Sequence, residues 1–170
     1  MKNLKKLTIL LAILSVFGIS CQNPQKPQTS DYDIKEEIPN VKPPLEEAAT
    51  QFPVDFTISK KEFSFTLTQG SYGYTDTFNV KKGNTITTYS IIGAVPTIIG
   101  TGNPELIKHI KVNASTIKDM YVLTVKNTMF DALGAGNSAQ IKVTLYIKGN
   151  DDSETKYNTG IKELIITVKR

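Results

Sequence analysis

Residues 141–148 alternate without a break: Ile141, Val143, Leu145 and Ile147 are apolar, and Lys142, Thr144, Tyr146 and Lys148 stand between them. A period of two places successive side chains on opposite faces of an extended chain. Eight residues in this pattern predict a strand with one face in a core and the other in water, since a helix needs a period of 3.6. The pattern recurs. Leu164, Ile166 and Val168 alternate with Ile165, Thr167 and Lys169. Phe63, Phe65 and Leu67 oppose Ser64, Thr66 and Thr68, and Tyr121, Leu123 and Val125 form another set. Thr77–Val80 and Thr85–Ile92 read as strands joined by the turn Lys81-Lys82-Gly83-Asn84. Gly149-Asn150-Asp151-Asp152 turns the chain into Thr155–Tyr157 or directly into the last strand.

Short strands separated by turn signals about every ten residues predict an all-β sandwich or barrel. Val54 to Arg170 is one domain, large enough to bury a core. The expected architecture is a single antiparallel β-sandwich of about seven strands with one or two short helical turns. One such turn is expected at Asn103-Pro104-Glu105, which combines a capping residue, a first-turn proline and a first-turn acid.

The run from Thr77 to Ile91, with its Lys81–Asn84 turn, resembles the strand–turn–strand entry of immunoglobulin-like domains. Ile110–Ile117 and Met120–Lys126 resemble their paired middle strands, followed by a helical link through Asn127–Gly134 and a long strand from Ala139. The resemblance implies an Ig-like sandwich. The family's disulfide pair, core tryptophan and tyrosine corner are missing, because this region has no Cys and the chain no Trp. An up-and-down or jelly-roll arrangement is the alternative.

Before the domain, Gln22 to Pro53 holds six of the eight prolines and no glycine, with sparse apolar residues. Such a segment buries too little surface to offset its ordering entropy and reads as a flexible, semi-stiff tether over 21–53. Roughly 33 residues reach toward 100 Å if fully extended at about 3.1 Å each. Leu45–Ala49 suggests a helical turn, and Ile34-Lys35-Glu36-Glu37 reads as a solvated spacer.

At the front, Lys2, Lys5 and Lys6 precede an apolar run from Leu7 to Val16, and Phe17-Gly18-Ile19-Ser20 leads into Cys21, the only cysteine. A basic start, a short apolar run and a small-residue exit make residues 1–20 a secretory signal peptide. The run is shorter than the ~20 residues that span a bilayer. A lone cysteine at this exit resembles the lipobox of bacterial lipoproteins, with Gly18 where leucine is usual. The resemblance implies that Cys21 is lipidated, becomes the mature N-terminus and anchors the chain in the envelope, at the outer membrane or cell surface. The alternative is an ordinary cleaved signal with an incidental cysteine. A lipidated Cys21 carries a thioether sulfur, which is neither nucleophile, metal ligand nor disulfide partner.

Charge follows the same division. The chain is +4, from 20 Lys and Arg against 16 Asp and Glu; without the three leader lysines, 17 face 16, or +1. A near-neutral domain lacks the phosphate-neutralising surplus on which nucleic-acid binding depends.

No chemical motif is complete. His109 is the only histidine and sits between Lys108 and a lysine at 111; a metal site there would need converging carboxylates. No Gly-x-Ser-x-Gly elbow is present, and Gly100-Thr101-Gly102-Asn103 lacks the Gly-Lys-Ser/Thr of a phosphate loop. Asp151, Asp152 and Glu154 lack the spacing of a calcium loop. Ala94–Ile99 reads as a short buried strand flanked by Gly-rich connections, or as an exposed apolar loop. In the second case Val95, Ile98 and Ile99 become partner-contact residues. Tyr72 and Tyr74, with Tyr89 near them, are recognition candidates. The expectation is a non-catalytic, lipid-anchored binding or adhesion protein with no cofactor, whose partner is an envelope protein or glycan. A structural accessory subunit that docks by a strand edge is the second reading. A carboxylate-dependent hydrolase using His109 is the third.

Overall fold

A computed structural model of the chain describes residues 33–44, 55–84, 86–150 and 157–170. The leader, Cys21, the Leu45–Ala49 segment and Asp151, Asp152 and Glu154 lie outside the described residues. The described strands are β1 (Ile34–Glu37), β2 (Phe56–Ile58), β3 (Glu62–Thr66), β4 (Gly73–Lys82), β5 (Thr88–Ile99), β6 (Ile110–Ser115), β7 (Met120–Lys126), β8 (Ser138–Asn150) and β9 (Tyr157–Lys169). They form an all-β sandwich of two sheets, ordered β1-β6-β7-β4-β2 and β3-β9-β8-β5. With β1 set aside, the first sheet has the A-B-E-D order and the second the G-F-C order of an immunoglobulin sandwich.

The alternating patterns meet in the core. Phe78, Val80, Leu123, Val125, Ile110 and Val112 from the first sheet face Phe63, Phe65, Ile141, Val143, Leu145, Ile147, Leu164 and Ile166 from the second, all buried. Fully burying side chains of this kind contributes about 1.5–3 kcal/mol each. In a domain without a disulfide or tryptophan, aromatic pairs cross between the sheets. Phe63 meets Phe78 at 6.2 Å between ring centroids, Phe56 meets Tyr89 at 5.6 Å, and Phe65 meets Tyr74 at 6.1 Å. Each such pair adds about 0.5–1.5 kcal/mol beyond its buried area.

The helical expectations take short forms. Pro104–His109 is a 3-10 helix capped by Asn103, whose Oδ1 accepts the Glu105 N–H at 3.0 Å. Met129–Leu133 is a five-residue α-helix between β7 and β8.

Three features differ from expectation. First, the sandwich is not wholly antiparallel. The chain steps between sheets across Ser59–Lys61, so β3 enters the second sheet alongside β9 and parallel to it. Second, β2 lies outside the alternating runs that the sequence shows, and with β1 it raises the described strand number above seven. Third, Ile34–Glu37 is not a solvated spacer. It pairs antiparallel with β6, from Ile34 opposite Ser115 to Glu37 opposite Asn113.

That third difference shapes one side of the molecule. After β1 the chain leaves the β6 edge and crosses to β5 in the other sheet. The Ile38 N–H donates to Val112 O at 2.9 Å, and the Asn40 amide donates to Ile110 O at 3.2 Å. The Ala94 N–H then donates to Pro39 O at 2.9 Å. Ile38 is buried in the core between the two edges. Residues 33–44 thus strap the open side of the sandwich. The strap crosses β5 at its bulge, between Ile91 and Gly93. A Cβ on Gly93 would lie 2.5 Å from the Val41 carbonyl oxygen and 2.9 Å from Pro43 Cδ, so only glycine admits the chain there. Tyr146, opposite Gly93, is buried where the strap passes.

Candidate functional site

The strap closes only part of the gap between β6 and β5. Beyond Ile38, toward the β6–β7 turn, the gap remains open as a cleft of about 480 Å³. Glu36 and Ile38 of the strap line one wall, Tyr89 of β5 the other, and Asp119 and Tyr121 the turn side. This volume lies within the ~300–1,000 Å³ of small-molecule sites.

Local chemistry builds the turn. Asp119 adopts φ 62°, a left-handed conformation that Asp tolerates better than most residues. The Ile117 N–H donates to Ser115 Oγ at 3.1 Å, and the Met120 N–H donates to Ile117 O at 3.2 Å. The Val80 N–H donates to Asp119 O at 3.0 Å and so ties the turn to β4. The Tyr89 hydroxyl lies 3.0 Å from Val80 O and 2.8 Å from Asp119 Oδ1, so its single proton has both acceptors within reach. Tyr121 stacks on Phe78 with ring centroids 5.5 Å apart.

Burial pushes the Tyr89 phenol well above its ordinary value, and the Asp119 carboxylate pushes it further. Burial also pushes Tyr121 up. Both stay protonated at neutral pH. The cleft therefore offers two neutral phenols, the carboxyl groups of Glu36 and Asp119 and the bodies of two aromatic rings, with Lys82 and Lys118 among its lining. Lys82 Nζ donates to Ile86 O, which fixes that side chain across the β4–β5 turn. The arrangement suits recognition of hydroxyl- or amide-bearing ligands by paired donors and acceptors.

The sequence-expected residues lie elsewhere. Tyr74 is the second residue of β4, and Val80, which the Tyr89 hydroxyl contacts, lies six residues on, about 20 Å along the strand. Tyr72 and Tyr74 therefore do not cluster with Tyr89. Tyr72 is 60% exposed on a shallow groove with Thr128 and Phe130. Tyr74 packs on Phe65, and its hydroxyl accepts the Thr68 N–H at 2.6 Å. Val95, Ile98 and Ile99 belong to a twelve-residue strand instead of a loop. Ile98 stands opposite the core residue Ile141 and packs against the core, whereas Ile99 is exposed. Ile98 and Ile99 line a second groove with Leu106 and Leu133, near the short helix. His109 sits at that end too, its Nδ1 2.7 Å from Thr128 Oγ1. Burial and the nearby Lys126 lower its pKa. No group of three or more His, Cys, Asp or Glu side chains converges among the described residues.

The cleft was only partly visible in the sequence. Tyr89 stood out as a tyrosine and Ile110–Ile117 and Met120–Lys126 as paired strands, but the pairing that joins them to Glu36 and Ile38 had no local signal. Comparison with protein-family models, with curated proteins and with solved structures finds no match.

Proposed function

We propose that the protein is a lipid-anchored, non-catalytic binding lipoprotein of the bacterial envelope, held by Cys21, and that it takes its partner in the cleft between the strap and β5. The leader and lone cysteine support the anchor. The observation that carries the binding role is the convergence of Tyr89, Asp119 and Tyr121 on one open cleft. Rigid recognition groups on a sandwich edge, flanked by turns, are how such scaffolds bind. The partner class is an envelope glycan or protein.

The test is a panel of envelope glycans and purified envelope proteins, read by amide chemical-shift changes on the full exported chain. Shifts concentrated at Thr87–Ile91 and Ser115–Tyr121, weakened in Tyr89→Phe, support the reading. No ligand anywhere on the panel, or shifts confined to the groove around Ile99 and Leu133, count against it.

A structural accessory role draws on a different observation. β1 and β2 are the outer strands of their sheet, and β1 is exposed along its length. Strand addition there would extend the sheet. At β5 the edge is occupied, because Ala94 already bonds to Pro39 and Pro96 has no N–H to offer. A stable complex recovered from membranes, lost when β1 carries a proline, would favour this role.

A further inference from the structure

We infer that the β6–β7 turn, with Ile117 at its tip, rests in the headgroup layer of the bilayer that carries the anchor. This rests on the lipid-anchor reading. The motivating geometry is where the chain from Cys21 arrives. The Thr116 N–H donates to Asp33 O at 2.9 Å, so the strap meets the domain at this turn. Eleven residues, 22–32, separate Cys21 from Asp33. At ~3.3–3.6 Å per residue they span at most about 40 Å. With residues 33–44 docked, the chain from the anchor to the turn is far shorter than a free 33-residue tether.

The turn has the chemistry of an interface contact. Ile117 is 50% exposed at a hairpin tip, a position that usually carries polar residues, and Ile34 is 49% exposed on the strand that reaches the turn. Lys35 and Lys118 are exposed next to them, interspersed with the exposed acidic residues Asp33, Glu36 and Asp119. The contact therefore rests on the apolar side chains and on these two ammonium groups individually and not on a net positive patch. An apolar tip flanked by lysines seats the apolar groups at the acyl boundary while the ammonium groups meet phosphates. The tip is also held rigid by Ser115 Oγ, by the Met120 N–H and by the Val80 N–H on Asp119 O. The Ile99 groove and the short helix lie at the far end of the strands. The cleft of the proposed function then opens beside the membrane and faces envelope components more than external ones.

The experiment uses the full lipidated chain in vesicles of phosphatidylethanolamine and phosphatidylglycerol. Ile117→Cys places an environment-sensitive fluorophore at the tip, where the new thiol is unique because Cys21 is a thioether. Asp131→Cys, on the short helix, is the control. Blue-shifted emission at 117 with strong quenching by headgroup-labelled lipid, and neither change at 131, is the expected result. Equal, unquenched emission at both sites in vesicle-bound protein overturns the inference and leaves the anchor reading standing. Protein that does not stay with the vesicles overturns both. A labelled tip that distorts the fold is detected by circular dichroism. A label at Thr116→Cys then repeats the measurement with and without Ile117→Asp, and here loss of quenching on adding Ile117→Asp is the supporting result and unchanged quenching the contrary one.

Discussion

Gly93 lies beneath the Val41 carbonyl so closely that a β-carbon on it would sit 2.5 Å from that oxygen. The contact joins a residue of the core strand β5 to a segment that composition alone assigns to a tether. It makes the strap part of the fold. Gly93→Ala must push residues 39–44 outward or shift β5. Overpacking of this kind costs about 1–3 kcal/mol. The expected local signature is faster hydrogen exchange at the Ala94 amide, whose acceptor is Pro39 O. Unchanged exchange at Ala94 and unchanged denaturation would show that the strap does not need the glycine.

Ile38 gives a second measure of the strap. It is buried to 4% exposure. Ile38→Ala is expected to destabilise the domain by about 2–5 kcal/mol, the range for truncating a core aliphatic side chain. A surface spacer residue would change stability by no more than ~0.5 kcal/mol. Chemical denaturation separates the two outcomes. Glu37→Gln, which removes the exposed ion pair with Lys111, should cost less than about 1 kcal/mol.

The cleft phenols make stability depend on pH at the alkaline end. Tyr89 and Tyr121 are both held above the ordinary tyrosine value, so the folded state retains protons that the unfolded chain releases. That contribution is fully present below about pH 10 and is lost as pH rises past it. Tyr89→Phe should flatten the alkaline decline in melting temperature. Spectroscopic titration of the wild type should find two tyrosines that ionise late. A wild-type profile identical to that of Tyr89→Phe would remove the burial argument.

Pro96 lies on the outer side of β5, next to the place where the strap covers that edge at Ala94. β5 is the last strand of that sheet, and alternation from Ala94 turns the backbone nitrogen of residue 96 toward the open side. Pro96→Val restores an N–H there, keeps an apolar side chain at this buried position and leaves the register with Val143 unchanged. The variant should fold and self-associate more than wild type in sedimentation velocity. An unchanged monomer would show that the strap alone protects the edge.

The long strands were legible because their period of two is sustained. β8 and β9 bury one face against the other sheet, and their sequences alternate to match. The helical turn at Pro104 was legible because Asn103 and the proline act locally. What escaped was set by contacts distant in sequence. Ile34–Glu37 carries three charges in four residues, and only its pairing with β6 makes it a strand. Gly93 read as part of a Gly-rich connection, because nothing near it announces the strap that crosses it. The cleft joins residue 36, residue 89 and the hairpin residues 119 and 121, which belong to three segments distant in sequence.

The most direct test of the account is the intact mass of the protein extracted from native membranes. The account predicts a chain that starts at Cys21 and carries a diacylglycerol thioether with an N-terminal acyl group, and a Cys21→Ser variant that leaves the membrane fraction. A mature protein with an unmodified Cys21, or one that stays membrane-bound after the serine exchange, would contradict it.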